Sequence, residues 1–133
     1  MAAEPLRSGI YAILDVDRLT PLLPTEPDEE LAALVAYGAV AADAGACALQ
    51  LRIKSTQPHS LYPRRVYAAL HEAFGARLPV LMNDFLPVVE PFVGRSGAGL
   101  HLGQDDHSPV TARHRLGEAA WLGWSTHDLA QVK

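Results

Sequence analysis

The chain has 133 residues, 49% hydrophobic and 20% charged, with a formal net charge of −4. This length suffices for one domain with a real core, and the balance is that of a globular rather than a disordered protein. Acids and bases are interspersed and no apolar run approaches membrane-spanning length, which argues against a nucleic-acid binder and against a spanning helix.

In chain order, Met1-Ala2-Ala3-Glu4-Pro5 has no basic region followed by an apolar one, so no secretory signal is expected and the cytoplasm is the default location. Ile10 to Leu14 is a first strand, ending at Asp15. A Pro-rich loop through Pro21, Pro24 and Pro27 leads to a helix from about Asp28 to Ala44, acidic in its first turn and stopped by Gly45. Ala46 to Leu51 is a second strand; within it the lone Cys47 reads as a small core residue in a reducing compartment. Ser60 can cap a second helix that runs to about Phe74, with Gly75 as its left-handed stop. Pro79 to Met82 is a third strand. A shorter helical stretch follows from about Leu86 to Val93, with Pro87 in its first turn and Pro91 weakening it. Gly99 to Leu102 is a fourth strand, Ser108-Pro109 opens a further helix closed by Gly117, and Trp121 to Trp124 is a fifth strand. A last helix is expected over Asp128 to Lys133.

Near-continuous apolar strands between helices imply an α/β fold with a parallel sheet and helices on its outer side. No Gly-x-Gly-x-x-Gly turn follows the first strand, which argues against a dinucleotide-binding fold. The better template is a TIM-type (β/α)8 barrel. Such a barrel has eight strands and takes ~250 residues, so the five strands here predict a partial barrel, one domain over residues 1–133, as a fragment or an open half-barrel.

In parallel α/β folds ligands bind beyond the C-terminal strand ends. Polar residues gather at those ends: Gln50-Leu51-Arg52-Ile53-Lys54, Asn83-Asp84, His101-Leu102-Gly103-Gln104-Asp105-Asp106 and Ser125-Thr126-His127. Two bases, several acids and several amides suit an anionic, metal-bound substrate, with Arg52 and Lys54 as a phosphate clamp. Asp84 and Asp106 supply two carboxylates, sufficient for Mg²⁺ when substrate oxygens and water complete its shell. Each group alone has a plainer reading. Arg52 and Lys54 could be a solvated strand end, Asp84 a helix cap, and Asp105-Asp106 a favourable pair before the next helix. His101 reads as a hydrogen-bonded core histidine, His127 has an open role, and no chemistry is assigned to His59, His71, His107 or His114. Trp121 and Trp124 read as core filling or as cover for the open side of the sheet.

Together the motifs resemble those of the thiamine phosphate synthase family: Gln-Leu-Arg-x-Lys, Asn-Asp, His-x-Gly-Gln-x-Asp and Ser-Thr-His at the second to fifth strand tips. The resemblance implies a transferase of thiamine biosynthesis that joins hydroxymethylpyrimidine diphosphate to thiazole phosphate and releases diphosphate. It further implies that Gln50, Arg52, Lys54 and Asn83 hold the pyrimidine diphosphate, that Asp84 and Asp106 bind Mg²⁺, and that Ser125 is another substrate contact. Arg52, Lys54 and Ser125 are then the catalytic candidates. Ile53 stands where the family often has an acid and Phe85 where Arg is common, and neither is a contact position. The family's thiazole phosphate contacts lie on strands six to eight, beyond the five identified here. Two other readings stay open. One is a thiazole tautomerase-like relative, which need not keep Arg52, Lys54, Asn83, Asp84 and Asp106 together. The other is a non-catalytic half-barrel that binds a phosphorylated ligand or pairs with another chain, or with itself, through open sheet edges. Small-molecule substrates are the expected partners, with no nucleic acid and no membrane.

Overall fold

The structure, a computed structural model, describes residues 6–55, 61–103 and 107–125. Strands β1 (Tyr11–Asp15), β2 (Ala48–Arg52), β3 (Val80–Asn83), β4 (Ala98–Leu102) and β5 (Trp121–Trp124) form one sheet in the order β1-β2-β3-β4-β5. Every pairing is parallel. Strands added in chain order without a reversal have no switch point, so the sheet grows as a barrel wall does and not as a doubly wound sheet. The expected partial barrel is therefore the fold observed.

The intervening helices are α1 (Val16–Leu19), α2 (Pro27–Asp43), α3 (Leu61–Phe74), α4 (Leu86–Val89) and α5 (Pro109–Leu116). Because successive strand residues point to opposite faces and in-register neighbours to the same face, the sheet has two distinct sides. Leu14, Leu49, Leu51, Val80, Met82 and Leu100 share one core with Leu34, Val66, Leu70 and Leu116 of the helices. The alternate residues Tyr11, Ile13, Gln50, Leu81, His101 and Trp121 belong to the opposite face. Helix α2 buries Leu34, Gly38 and Ala42 at four-residue spacing. Gly38 is required where α2 meets α3, since a Cβ there would lie 2.7 Å from Phe74 Cε2. Tyr67 on α3 ties the helix layer to the sheet: its hydroxyl donates to Val80 O (2.8 Å) and accepts from Gly99 N (3.3 Å).

Several local expectations are corrected. The Pro-rich segment is not plain loop, for it contains α1, N-capped by Asp15, and a 3-10 turn at Thr20–Leu22. The stretch from Leu86 to Val93 splits into α4 and a 3-10 turn at Glu90–Phe92, because Pro91 cannot continue the α-helical ladder. Gly75 does not adopt a left-handed conformation, unlike Gly45 (φ +94°) and Gly117 (φ +81°). Its constraint is crowding instead, with a Cβ at Gly75 placed 2.6 Å from His71 O. Cys47 is half-buried rather than part of the core. Ser108 does cap α5, accepting from Thr111 N at 3.1 Å. Ser60 and the expected helix over Asp128 to Lys133 lie outside the described residues. Among the described residues, no helix is long and apolar enough to cross a membrane.

Candidate functional site

Parallel register fixes which side chains meet at the C-terminal edge of the sheet. Asp15 is level with Arg52, Asn83 with His101, and His101 with Gly123. Gln50 lies within β2 as expected, Arg52 is its last residue, one beyond the expected end at Leu51, and Lys54 follows the strand. The cause is the register itself, which keeps β2 paired with β1 through Asp15↔Arg52.

Each expected cation already has a carboxylate beside it. Arg52 Nη1 donates to Asp15 Oδ2 at 3.0 Å. Lys54 Nζ is ion-paired with Asp84 Oδ2. The backbone N–H of Lys54 donates to Asp17 Oδ2 (2.8 Å), and Ser55 Oγ donates to Asp17 Oδ1 (2.6 Å). The Ser55 hydrogen bond, ahead of the Lys54 and Ser55 amides and the charge of Arg52, holds the Asp17 carboxyl below the usual carboxylate range.

Asp84 has φ +72°, a left-handed conformation uncommon for a residue with a side chain. Its N–H donates to His101 O (2.9 Å) and its carbonyl accepts from Leu86 N (3.1 Å), so the turn between β3 and α4 is held on both sides. Strain of this kind persists where the surroundings fix it, and it concentrates at functional sites.

Gln50 and Asn83 are the buried polar side chains among the described residues. Gln50 Nε2 donates to Tyr11 OH at 2.9 Å, whereas Asn83 Nδ2 has no protein partner among the described residues. A buried amide donor without a partner is costly, and a ligand acceptor would relieve that cost. On the β4 and β5 side, His101 Nε2 and Ser125 Oγ share a hydrogen bond of 2.9 Å, and Ser125 N donates to Leu102 O at 2.9 Å. His101 is thus on the helix-free face and half-buried, hydrogen-bonded as expected but not a core residue. Burial pulls its imidazole below the ordinary histidine value, and Lys54 acts the same way while Asp84 opposes both.

The structure brings Arg52, Lys54, Asn83, Asp84 and Ser125 to one edge of the sheet, with Gln50 two residues before Arg52 on the same face of β2. Gln104, Asp105, Asp106, Thr126 and His127, and with them half of the expected metal pair, lie outside the described residues. Asp84 is a hard oxygen donor at the rim, which fits an oxygen-seeking cation such as Mg²⁺. Among the described residues no group of three or more His, Cys, Asp or Glu could hold an ion, and Mg²⁺ does not require one, since it retains water and takes phosphate oxygens. Tyr11, Asp15 and Asp17, which contact the candidate residues Gln50, Arg52 and Lys54, were passed over by sequence reasoning. For Asp15 and Asp17 a signal was available in the spacing: they stand to the first strand as Arg52 and Lys54 stand to the second.

A family model described as thiamine monophosphate synthase matches residues 22–133. Among curated proteins, the chain is 39% identical over 131 residues to the thiamine-phosphate synthase of Marinobacter nauticus, covering 96% of this chain and 52% of that protein. It is 37% identical over 93 residues to the thiamine-phosphate synthase of Psychrobacter sp., covering 70% of this chain and 41% of the relative. To that of Saccharopolyspora erythraea it is 36% identical over 130 residues, covering 93% and 55%. The chain spans about half the length of the curated relatives it matches.

Proposed function

The chain belongs to the thiamine monophosphate synthase family, and on that premise we propose that its strand-end site binds hydroxymethylpyrimidine diphosphate for coupling to thiazole phosphate. The observation that carries this reading is the meeting of Arg52, Lys54, Asp84 and a buried, unpartnered Asn83 Nδ2 at one sheet edge. In the coupling, the bond from the pyrimidine methylene carbon to diphosphate oxygen breaks and its electron pair leaves with diphosphate. The thiazole nitrogen then supplies the pair for the new carbon–nitrogen bond. No protein nucleophile is consumed, so the site's task is to hold and neutralise.

Arg52 and Lys54 hold diphosphate oxygens through charge-assisted hydrogen bonds, exchanging part of their contact with Asp15 and Asp84 for the incoming anion. Asn83 Nδ2 donates to the ligand, Gln50 contacts the pyrimidine from the face it shares with Tyr11, and Ser125, oriented by His101, is the contact on the β5 side. Asp84 together with Asp106 would hold Mg²⁺, which when bound neutralises charge that builds on the departing diphosphate.

Titration calorimetry of the full chain with Mg²⁺, with hydroxymethylpyrimidine diphosphate and with both tests the site. Joint binding is expected to be tighter than either alone, and Lys54→Ala is expected to weaken it by about tenfold or more, the worth of one charged hydrogen bond. Tight Mg²⁺ binding without the diphosphate, unchanged in Asp84→Ala, would sink the metal assignment. An affinity for the diphosphate that is the same in wild type and Lys54→Ala would return Lys54 to a solvated strand end.

A further inference from the structure

Lys54 stands outside the ladder of β2, which ends at Arg52, so the sheet alone does not fix its backbone. Two separate contacts do. The side chain is ion-paired with Asp84, and the main chain is held from β1: Asp17 accepts the Lys54 N–H at 2.8 Å and the Ser55 hydroxyl at 2.6 Å. The pairing of Asp15 with Arg52 places positions 17 and 54 equally far beyond the two strands, so this contact continues the β1–β2 register after the backbone ladder has stopped. Asp17 itself sits in the first turn of α1, whose N-terminus is capped by Asp15. That gives the carboxylate a fixed base.

We propose that Asp17 is a positioning residue that holds the Lys54–Ser55 backbone so that the Lys54 ammonium is presented to a diphosphate at the strand-end site. This rests on the diphosphate reading of that site. Asp17 does so without contacting the ligand, because both of its oxygens are engaged by the loop it holds. A lysine tethered only by its side chain would have to order its backbone on binding, at a cost in affinity.

Two readouts on the full chain separate this role from the function it serves. Amide hydrogen exchange of the peptide containing Lys54 and Ser55 is expected to accelerate about tenfold or more in Asp17→Ala, while peptides from α2 and α3 keep wild-type protection. Calorimetry with Mg²⁺ and inorganic pyrophosphate is expected to show affinity reduced about tenfold in Asp17→Ala and restored to within about twofold in Asp17→Asn, whose side-chain oxygen can still accept the Lys54 N–H. Unchanged exchange at Lys54 in Asp17→Ala overturns the positioning role whether or not pyrophosphate binds. Faster exchange with unchanged pyrophosphate affinity also overturns it, since the held backbone would then not matter to the anion. If Asp17→Asn binds as poorly as Asp17→Ala, the negative charge and not the hydrogen-bond geometry is at work, and the role as stated is wrong. If wild type fails to bind Mg²⁺ and pyrophosphate but Asp17→Ala still loosens the loop, the diphosphate reading fails, and with it the purpose assigned to Asp17.

Discussion

His101 shows how a residue can be read correctly in its bonding and wrongly in its place. Its chain position predicted a hydrogen-bonded histidine, and it bonds Ser125, yet it faces the helix-free side of the sheet, where Gly123 makes room for it. A Cβ at Gly123 would lie 2.4 Å from His101 Nδ1. Burial, the largest influence, and Lys54 lower its basicity while Asp84 works against them, and the net direction is down. The folded chain therefore takes up this proton less readily than the unfolded one. The stability that depends on neutral His101 is intact above the ordinary histidine value of ~6.5 and is lost as pH falls from there through the lower folded value. An NMR titration of the imidazole is expected to give a midpoint below 6.5; a midpoint above it would contradict the burial assigned here. Arg52, Lys54, Asn83 and Asp84 were legible as a set because charged and amide residues after apolar runs stand out. Tyr11 was not, because its meeting with Gln50 depends on register, which a single sequence does not print, whereas the spacing of Asp17 from the first strand matches that of Lys54 from the second.

Among the elements, turns that need glycine or proline were the most legible, with one instructive failure. Gly45, Gly117 and the Ser108-Pro109 start of α5 follow from local geometry alone. Gly75 answers not to a left-handed φ but to crowding by His71 one turn before it, and the tertiary constraint falls on Gly97. A Cβ at Gly97 would lie 2.3 Å from Gly75 O, so the end of α3 and the turn before β4 touch through backbone. Gly97 also has φ +79°, and its carbonyl accepts a hydrogen bond from Val80 N at 2.8 Å at the start of β3. Gly97→Ala combines left-handed strain with a backbone clash, and it is expected to destabilise the chain by roughly 2 kcal/mol or more, read as a lower urea midpoint at constant slope. A midpoint unchanged from wild type would show that this contact is loose. The short α1 and the 3-10 turns escaped the sequence reading for a different reason: three or four residues are too few to display a helical period, and prolines in such a segment look like loop.

For the molecule as a whole, the order and parallel sense of the strands were legible because each βα unit repeats the same pattern of apolar run, polar tip and helix. What the repeat does not convey is how the helix-free face is treated. Tyr11, Leu81, His101, Trp121 and Trp124 line a cavity of about 580 Å³ on that side. Ile13 is 56% exposed and Trp124 39% exposed, and among the described residues β1 and β5 each pair with one neighbour. Trp121 therefore fills no closed core and lines the open side, whereas Trp124, level with the core residue Leu102, falls on the other parity of β5 and is partly exposed. An apolar face next to unpaired strand edges favours association with like surfaces. Sedimentation velocity of the purified chain is expected to show association that grows with concentration. Ile13→Lys places a charge on the exposed face and edge without removing a core contact, so it is expected to reduce that association while leaving the thermal midpoint within a few degrees of wild type. A chain that stays monomeric at high concentration, or an Ile13→Lys variant that loses stability instead of association, would mean that this face is covered in solution.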